Sequence, residues 1–322
     1  MQLQFKNIVL GSKSEIEKYT KLWNIENGEF TFTNMFIWGT DGRMQYAEEE
    51  GFLFIKLEFP GEKAFMWPPI PESEEKLKEY SKAVKICEEY FKERELAPYF
   101  RSVSQPFKSW FEEYAPSYEF KEDRDNFEYV YLSEKMINLK GKKMHSKRNF
   151  INRIRLQHPD LQYKNLTKDN FDECMALYDR WAQSHFAETI ERLGERNSVV
   201  KALTYMDELG LTGGIIRIDG QMKAFTVGEK KLPTMSQIHI EKADRDIDGL
   251  YQIINQQYAQ HNCADTMYIN REEDMGEEGM RKAKLSYYPD KMIEKYDAVL
   301  KTEEKSCIIM CGDKQLCKKG EN

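Results

Sequence analysis

Two alternating segments carry the residues best suited to chemistry. From Ser236 to Lys242, Ile238 and Ile240 alternate with Gln237, His239 and Glu241, the period of two of a strand, so His239 and Glu241 are expected to share one face. An imidazole and a carboxylate aimed into one cleft can take a proton from an attacking amine or hydroxyl. A buried, hydrogen-bonded histidine is the competing reading. Thr266 to Asn270 reads as a second strand ending at Asn270 and Arg271, where open α/β sheets commonly place polar site residues. Fixing the turn is an equal alternative for both. Between these strands, Ala243 to Gly249 is turn-like and leads into a helix over Leu250 to His261. Arg245 before that helix and Tyr251 in its first turn are candidate phosphate contacts. On the helix Glu277 to Leu285, Arg281, Lys282 and Lys284 either bind phosphate or cover the helix.

A third feature is a charge run. From Lys135 to His158 there are eight Lys or Arg residues and no acid, in a chain whose formal charge is −7. Met144, Ile151 and Ile154 form one helical stripe, and Lys147 falls inside it. Lys147 and Arg148 are therefore either an anion site or part of a solvated basic face with the Lys147 stem packed at its edge. Cys307, Cys311 and Cys317 lack a partner histidine and metal-site spacing, so no metal is expected. The sequence contains no G-x-S-x-G, Walker, H-E-x-x-H or Rossmann pattern, so covalent catalysis is not indicated.

At 322 residues, with 40% hydrophobic and 13% aromatic content, the chain can bury a large core and matches the length of about two domains. It lacks a membrane-length apolar run and a secretion-signal pattern, and the six scattered cysteines form no disulfide framework, so a cytoplasmic location is expected. The acidic balance argues against a whole-surface nucleic-acid binder but leaves room for a local basic patch.

The elements that must position these residues fall into two similar series. Strands are expected at Leu3 to Val9, Met44 to Ala47, Phe52 to Phe59, Lys63 to Trp67, Tyr99 to Val103, Tyr118 to Lys121 and Phe127 to Leu132. Helices are expected at Ser12 to Trp23, Ser73 to Glu95 and Gln105 to Tyr114, while Thr31 to Trp38 is apolar without a clear period. The second series has a helix at Gly141 to Leu156, a strand at Leu161 to Asn165, a helix capped by Thr167 and reaching about His185, and a helix from Glu195 to Leu209. A hairpin around Asp219 and Gly220 comes next. The shared order predicts an α/β (α+β) fold built by tandem duplication of a mixed sheet flanked by helices. Domains are expected over 1–135 and 136–302, the second holding the active site, with a cysteine-containing tail over 303–322.

This order resembles that of GNAT acyltransferases. The residues Asn270 to Asp274 (NREED), Gly279 to Ser286 (GMRKAKLS) and Tyr287 to Pro289 are similar to the C-terminal catalytic domain of lysyl-phosphatidylglycerol synthases, a family with soluble tandem-GNAT relatives. Lys284, Tyr287 and Pro289 fit that family's Lys-x-Lys-Phe-x-Pro-like ending, while Ser286 replaces its second lysine. The basic helix also resembles that of Fem-type aminoacyltransferases. The resemblance implies a transferase that moves an aminoacyl group from aminoacyl-tRNA to a lipid head group or a small amine or hydroxyl acceptor, with no cofactor and no covalent intermediate. It also implies that the strand bearing His239 parts from its neighbour to admit the acyl group, with free amides there stabilising an oxyanion. Two alternatives stand beside it: an acyl-CoA-dependent N-acyltransferase and a non-catalytic tandem-GNAT binding protein. Arg245 to Gly249 departs from the acyl-CoA loop pattern of GNAT enzymes, and Pro68 to Pro71 in the first half carries no glycine. Acyl-CoA is therefore expected to bind poorly.

Overall fold

The computed structural model describes residues 3–39, 42–59, 61–183 and 190–301. Two mixed sheets form its frame. The first runs in the order Lys6–Asn7, Met44–Glu49, Phe52–Leu57, Phe65–Met66, Tyr99–Val103, Tyr296–Leu300, Tyr118–Glu122, with Ile70–Pro71 also paired to Phe52–Leu57. The second runs Lys291–Ile293, Glu128–Leu132, Tyr268–Asn270, Met235–Ala243, Gln221–Leu232, Thr212–Ile218, Gln162–Asn165. Each sheet has one parallel pairing, Met66 with Phe100 in the first and Met235 to Gln237 with Tyr268 to Asn270 in the second. The remaining strand pairs are antiparallel.

The duplication is visible in the series of elements after each parallel strand: a helix (Phe107–Tyr114 or Glu278–Leu285), a strand (Tyr118–Glu122 or Lys291–Ile293), then a last strand. Those last strands are exchanged. Glu128–Leu132 inserts between Tyr268–Asn270 and Lys291–Ile293 of the second sheet, and Tyr296–Leu300 inserts between Tyr99–Val103 and Tyr118–Glu122 of the first. The expected boundary at residue 135 therefore does not separate the sheets, because each is completed by chain from the other side of it.

Local chemistry accounts for most elements. Thr31 accepts a hydrogen bond from the Asn34 N–H and caps the helix Phe32–Trp38, the segment whose sequence showed no clear period. Ser73 caps a short helix, Glu74–Leu77, and a second helix, Tyr80–Lys92, comes after it, where one continuous helix was expected. The Thr167-led helix spans Phe171–Gln183, and His185 lies outside the described residues, as does the 303–322 tail with Cys307, Cys311 and Cys317. The largest core is continuous across both halves, joining Phe100, Phe107 and Phe111 to Tyr178, Leu203, Phe225 and Ile240. A second core lies under the helix Leu250–Asn262 and includes Ile154, Ile238, Ile253 and Ile254. Among the described residues no helix is long and apolar enough to cross a membrane.

Candidate active site

Met235–Ala243 keeps its antiparallel partner as far as Ala243, but its parallel pairing ends at Gln237 opposite Asn270. Beyond that point the chain of Arg271 and Glu272 parts from Met235–Ala243 while still bonded to Tyr129 on its other side, and among the described residues the edge of Met235–Ala243 facing it has no further ladder partner. The result is a fork. On its other side, the ladder shifts: Gly228 faces Ile238 and Val227 faces Ile240, so His239 is one residue too many, a β-bulge. A Cβ on Gly228 would stand 2.3 Å from the Gln237 carbonyl oxygen, which is why glycine occupies the bulge's partner position.

The bulge overturns the expected shared face of His239 and Glu241. Ile238 faces the core under Leu250–Asn262, whereas Ile240 faces the core shared with the first half, so the simple alternation fails between them. His239 points to the side on which Thr33 of the first half binds Glu229, and Glu229 and Glu272 of the second half flank its ring at 3.0 Å and 2.9 Å. Glu241 points the other way. Its two oxygens accept from Asn255 Nδ2 at 2.8 Å and from Arg271 at 2.9 Å.

Around the Glu241–Arg271 pair the structure gathers several sequence candidates. The Arg271 guanidinium lies 5.3 Å from the Tyr287 ring and 5.9 Å from that of Tyr131. Lys147 sits 4.3 Å over the same Tyr287 ring and donates to Ser286 Oγ at 2.6 Å. Burial, with the Arg271 charge behind it, pushes the Lys147 ammonium below its usual range. Lys282 is exposed on a surface groove of about 560 Å³ lined by Glu278, Arg281, Leu285, Ser286 and Tyr288, which reaches the same serine. At another edge of the fork strand, Tyr251 accepts from Trp181 Nε1 at 3.0 Å, and Lys242 lies 3.6 Å over the Trp181 ring. Exposed Arg245 stands 5.9 Å from that ring.

Other candidates are committed to the chain itself. Arg148 donates to the carbonyls of Leu139 and Gly141, closing off the end of the preceding helix Ser133–Asn138. Lys284 donates to the carbonyls of Arg271, Glu272 and Glu273, and burial pushes its ammonium down to about 8. Asn270 is fully buried and donates to Glu128 at 2.6 Å. Gly249, at φ +93°, closes the turn before the helix Leu250–Asn262, and a Cβ there would meet the Phe150 carbonyl oxygen at 2.8 Å. With Arg153 bonded to Asp248 at 3.1 Å, the turn is packed against the basic helix His145–Gln157.

Sequence reasoning missed a buried charged seam where the exchanged strands cross. Glu128 accepts from the Gly28 N–H at 2.9 Å, and Lys295 lies 2.8 Å from Glu128, 3.5 Å from Glu29 and 3.8 Å from Glu273. The Lys295 contact is an ion pair by distance, although its ammonium is not aligned on any acceptor as a hydrogen bond. Lys231 donates to the carbonyls of Glu26 and Asn27 nearby. The NREED run was the only local signal, since the other partners come from distant positions.

The mixed sheets, their duplication and the fork define a tandem GNAT-fold protein. The chain belongs to the family described as phosphatidylglycerol lysyltransferase, C-terminal, whose model matches residues 20–299. A conserved protein of unknown function from Bacteroides thetaiotaomicron is 34% identical, with a TM-score of 0.84 over 93% of this chain and 100% of that one. The C-terminal domain of a putative lysylphosphatidylglycerol synthetase from Agrobacterium fabrum is 15% identical, with a TM-score of 0.62 over 89% of this chain and 91% of that domain. The structure of FemX is 9% identical, with a TM-score of 0.57 over 92% and 98% of the two chains. None of the curated proteins matches the chain.

Proposed function

We propose that this protein is an aminoacyltransferase that moves an activated aminoacyl group, with aminoacyl-tRNA as donor, to an amine or hydroxyl of a lipid head group or small acceptor. The observation that carries this reading is the Glu241–Arg271 pair inside an open strand fork, in a chain of the phosphatidylglycerol lysyltransferase C-terminal family. An aminoacyl ester is already activated, so positioning, proton removal and oxyanion stabilisation suffice. The acceptor lone pair attacks the ester carbonyl, Glu241 takes the acceptor's proton, and as the tetrahedral oxyanion collapses the carbon–oxygen bond to the ribose breaks and Glu241 returns that proton to the departing ribose oxygen. Arg271 and Lys147 supply positive charge beside that oxyanion. His239 is not the base in this scheme, because both its ring nitrogens are engaged by carboxylates.

The test is release of labelled amino acid from a pool of charged tRNAs, made dependent on phosphatidylglycerol vesicles or on simple amines. Glu241→Gln keeps the side-chain size and is expected to lower the transfer rate by about 10²- to 10⁴-fold, the usual contribution of a positioned base. Transfer by the variant at the wild-type rate would remove Glu241 from the mechanism.

Acyl-CoA is expected to be a poor ligand. The turn before Leu250–Asn262 closes on Phe150 and Arg153, leaving its amides without the open concavity that cradles a pyrophosphate. Calorimetry with acetyl-CoA checks this, and a low-micromolar dissociation constant would favour a CoA-dependent enzyme instead.

A further inference from the structure

We propose that His239 is a positioning residue, a charged rivet that sets the opening of the fork and ties it to the first half of the chain. Its relevance to catalysis rests on the functional reading above, whereas the rivet itself is a matter of geometry. Gln237 and Asn270 form the last ladder pair, and His239 and Glu272 stand two residues beyond them on either arm. The imidazole bridges the crotch at that point.

The two nitrogens fix the charge of the ring. Nδ1 lies 2.9 Å from Glu272 Oε1 and Nε2 lies 3.0 Å from Glu229 Oε1, and the side chain is shielded from solvent. A neutral imidazole has one N–H and would set a lone pair against one carboxylate; only the imidazolium donates to both. Each carboxylate is held in turn. Glu229, on the strand Gln221–Leu232, accepts from Thr33 of the first half at 3.1 Å. Glu272 accepts from Gln237 at 2.7 Å, and its own N–H donates to Asn270 Oδ1 at 2.8 Å. Glu272 adopts φ +56°, a left-handed conformation that a non-glycine residue holds only when its surroundings impose it. The next residue towards the fork is Arg271. One connected path thus runs from Thr33 through Glu229, His239, Glu272 and Arg271 to Glu241.

The other charges packed around this path are Lys231 on the strand of Glu229, Glu273 beside Glu272, Lys284 on that loop's carbonyls, and Lys295 with Glu128 and Glu29. Burial by itself pushes the imidazole down, and the two flanking carboxylates overcome it, raising the ring to about 9. A pKa above the ordinary value of about 6.5 means that the rivet's contribution is complete below that pH and is lost as pH rises through about 9. Above it, one arm of the bridge opens and the Arg271 loop is released.

Nitrogen-15 NMR of the histidine rings in the intact protein tests the charge directly. His239, assigned by its absence in His239→Gln, is expected to be doubly protonated at pH 7.5. Hydrogen exchange of residues 271–276, corrected for intrinsic rates, should then show a fall in protection of about tenfold to a hundredfold between pH 7.5 and 10, the scale of one lost charged hydrogen bond. In His239→Gln the loop should exchange faster already at pH 7.5 and keep only the smaller step that comes from Lys284, whose ammonium holds carbonyls of the same loop and is pushed down to about 8; a step as large as that of the wild type would overturn the proposal. Should the variant not fold, the wild-type titration decides. A neutral His239 ring at pH 7.5, or protection of residues 271–276 without a pH step, overturns the proposal. Absence of aminoacyl transfer beside a protonated ring and a normal step would instead overturn the functional reading.

Discussion

A fragment ending at residue 135 is expected to show no cooperative thermal transition, and so is a fragment beginning at 136. In the first, the sheet lacks Tyr296–Leu300 between Tyr99–Val103 and Tyr118–Glu122, leaving two strand edges unpaired inside what should be a continuous sheet. The freed strand Glu128–Leu132 is a poor replacement. Glu128 would lose Lys295 and Asn270, Tyr129 would lose Asp274, and Tyr131 would lose the Lys284 carbonyl. The fragment would also strip the shared core of its second-half members, among them Tyr178, Leu203 and Phe225. Circular dichroism melts of each fragment and of an equimolar mixture check this. Recovery of a sharp transition on mixing is the expected result, since exchanged strands can re-form between chains. A cooperative transition in the first fragment alone would show that Glu128–Leu132 can fill its own unit's sheet.

The same exchange explains how far the sequence could be read. Alternation in Ser236 to Lys242 marks a strand, although Ile238 and Ile240 enter different cores and the strand is buried on both faces, and the Asp219-Gly220 pair marks the preceding hairpin through local backbone preference. The bulge at His239 has no such local mark. It depends on Gly228 lying opposite, and one added residue was enough to send His239 and Glu241 to different faces. Lys147 was placed correctly as a lysine inside an apolar stripe, since helical spacing alone determines that. For its neighbour Arg148 the sequence leaves an anion contact and a solvated basic face both open; the structure adds that Nη1 donates to two carbonyls at the end of Ser133–Asn138, a bond that only the path of the preceding turn decides. Glu128 and Lys295 are far apart in the chain and meet because the strands are exchanged, a relation that periodicity within either segment does not encode.

Lys295→Met is expected to destabilise the protein by about 3–5 kcal/mol, the usual penalty for removing one partner of a buried ion pair. Lys295 is fully buried beside Glu128, Glu29 and Glu273. Five carboxylates in this seam, Glu29, Glu128, Glu229, Glu272 and Glu273, outnumber the cations Lys231, His239, Lys284 and Lys295 that face them. Burial already pushes Glu29 up to about 7 against the pull of Lys295, and Glu273 is raised in the same way. Without the ammonium both carboxyls rise further. A carboxyl whose folded pKa exceeds its unfolded value of about 4.3 binds more protons in the native state, so stability falls as pH climbs between the two. The loss caused by Lys295→Met should therefore be smallest near pH 5 and largest near pH 8. Urea unfolding at both pH values, with Glu128→Gln and the double variant completing a cycle, measures it. Because Glu128 also accepts from Gly28 and Asn270, the double variant should recover only part of the loss. A cost below about 1 kcal/mol for Lys295→Met, unchanged between pH 5 and pH 8, would mean that the seam tolerates its excess of carboxylates without this ammonium.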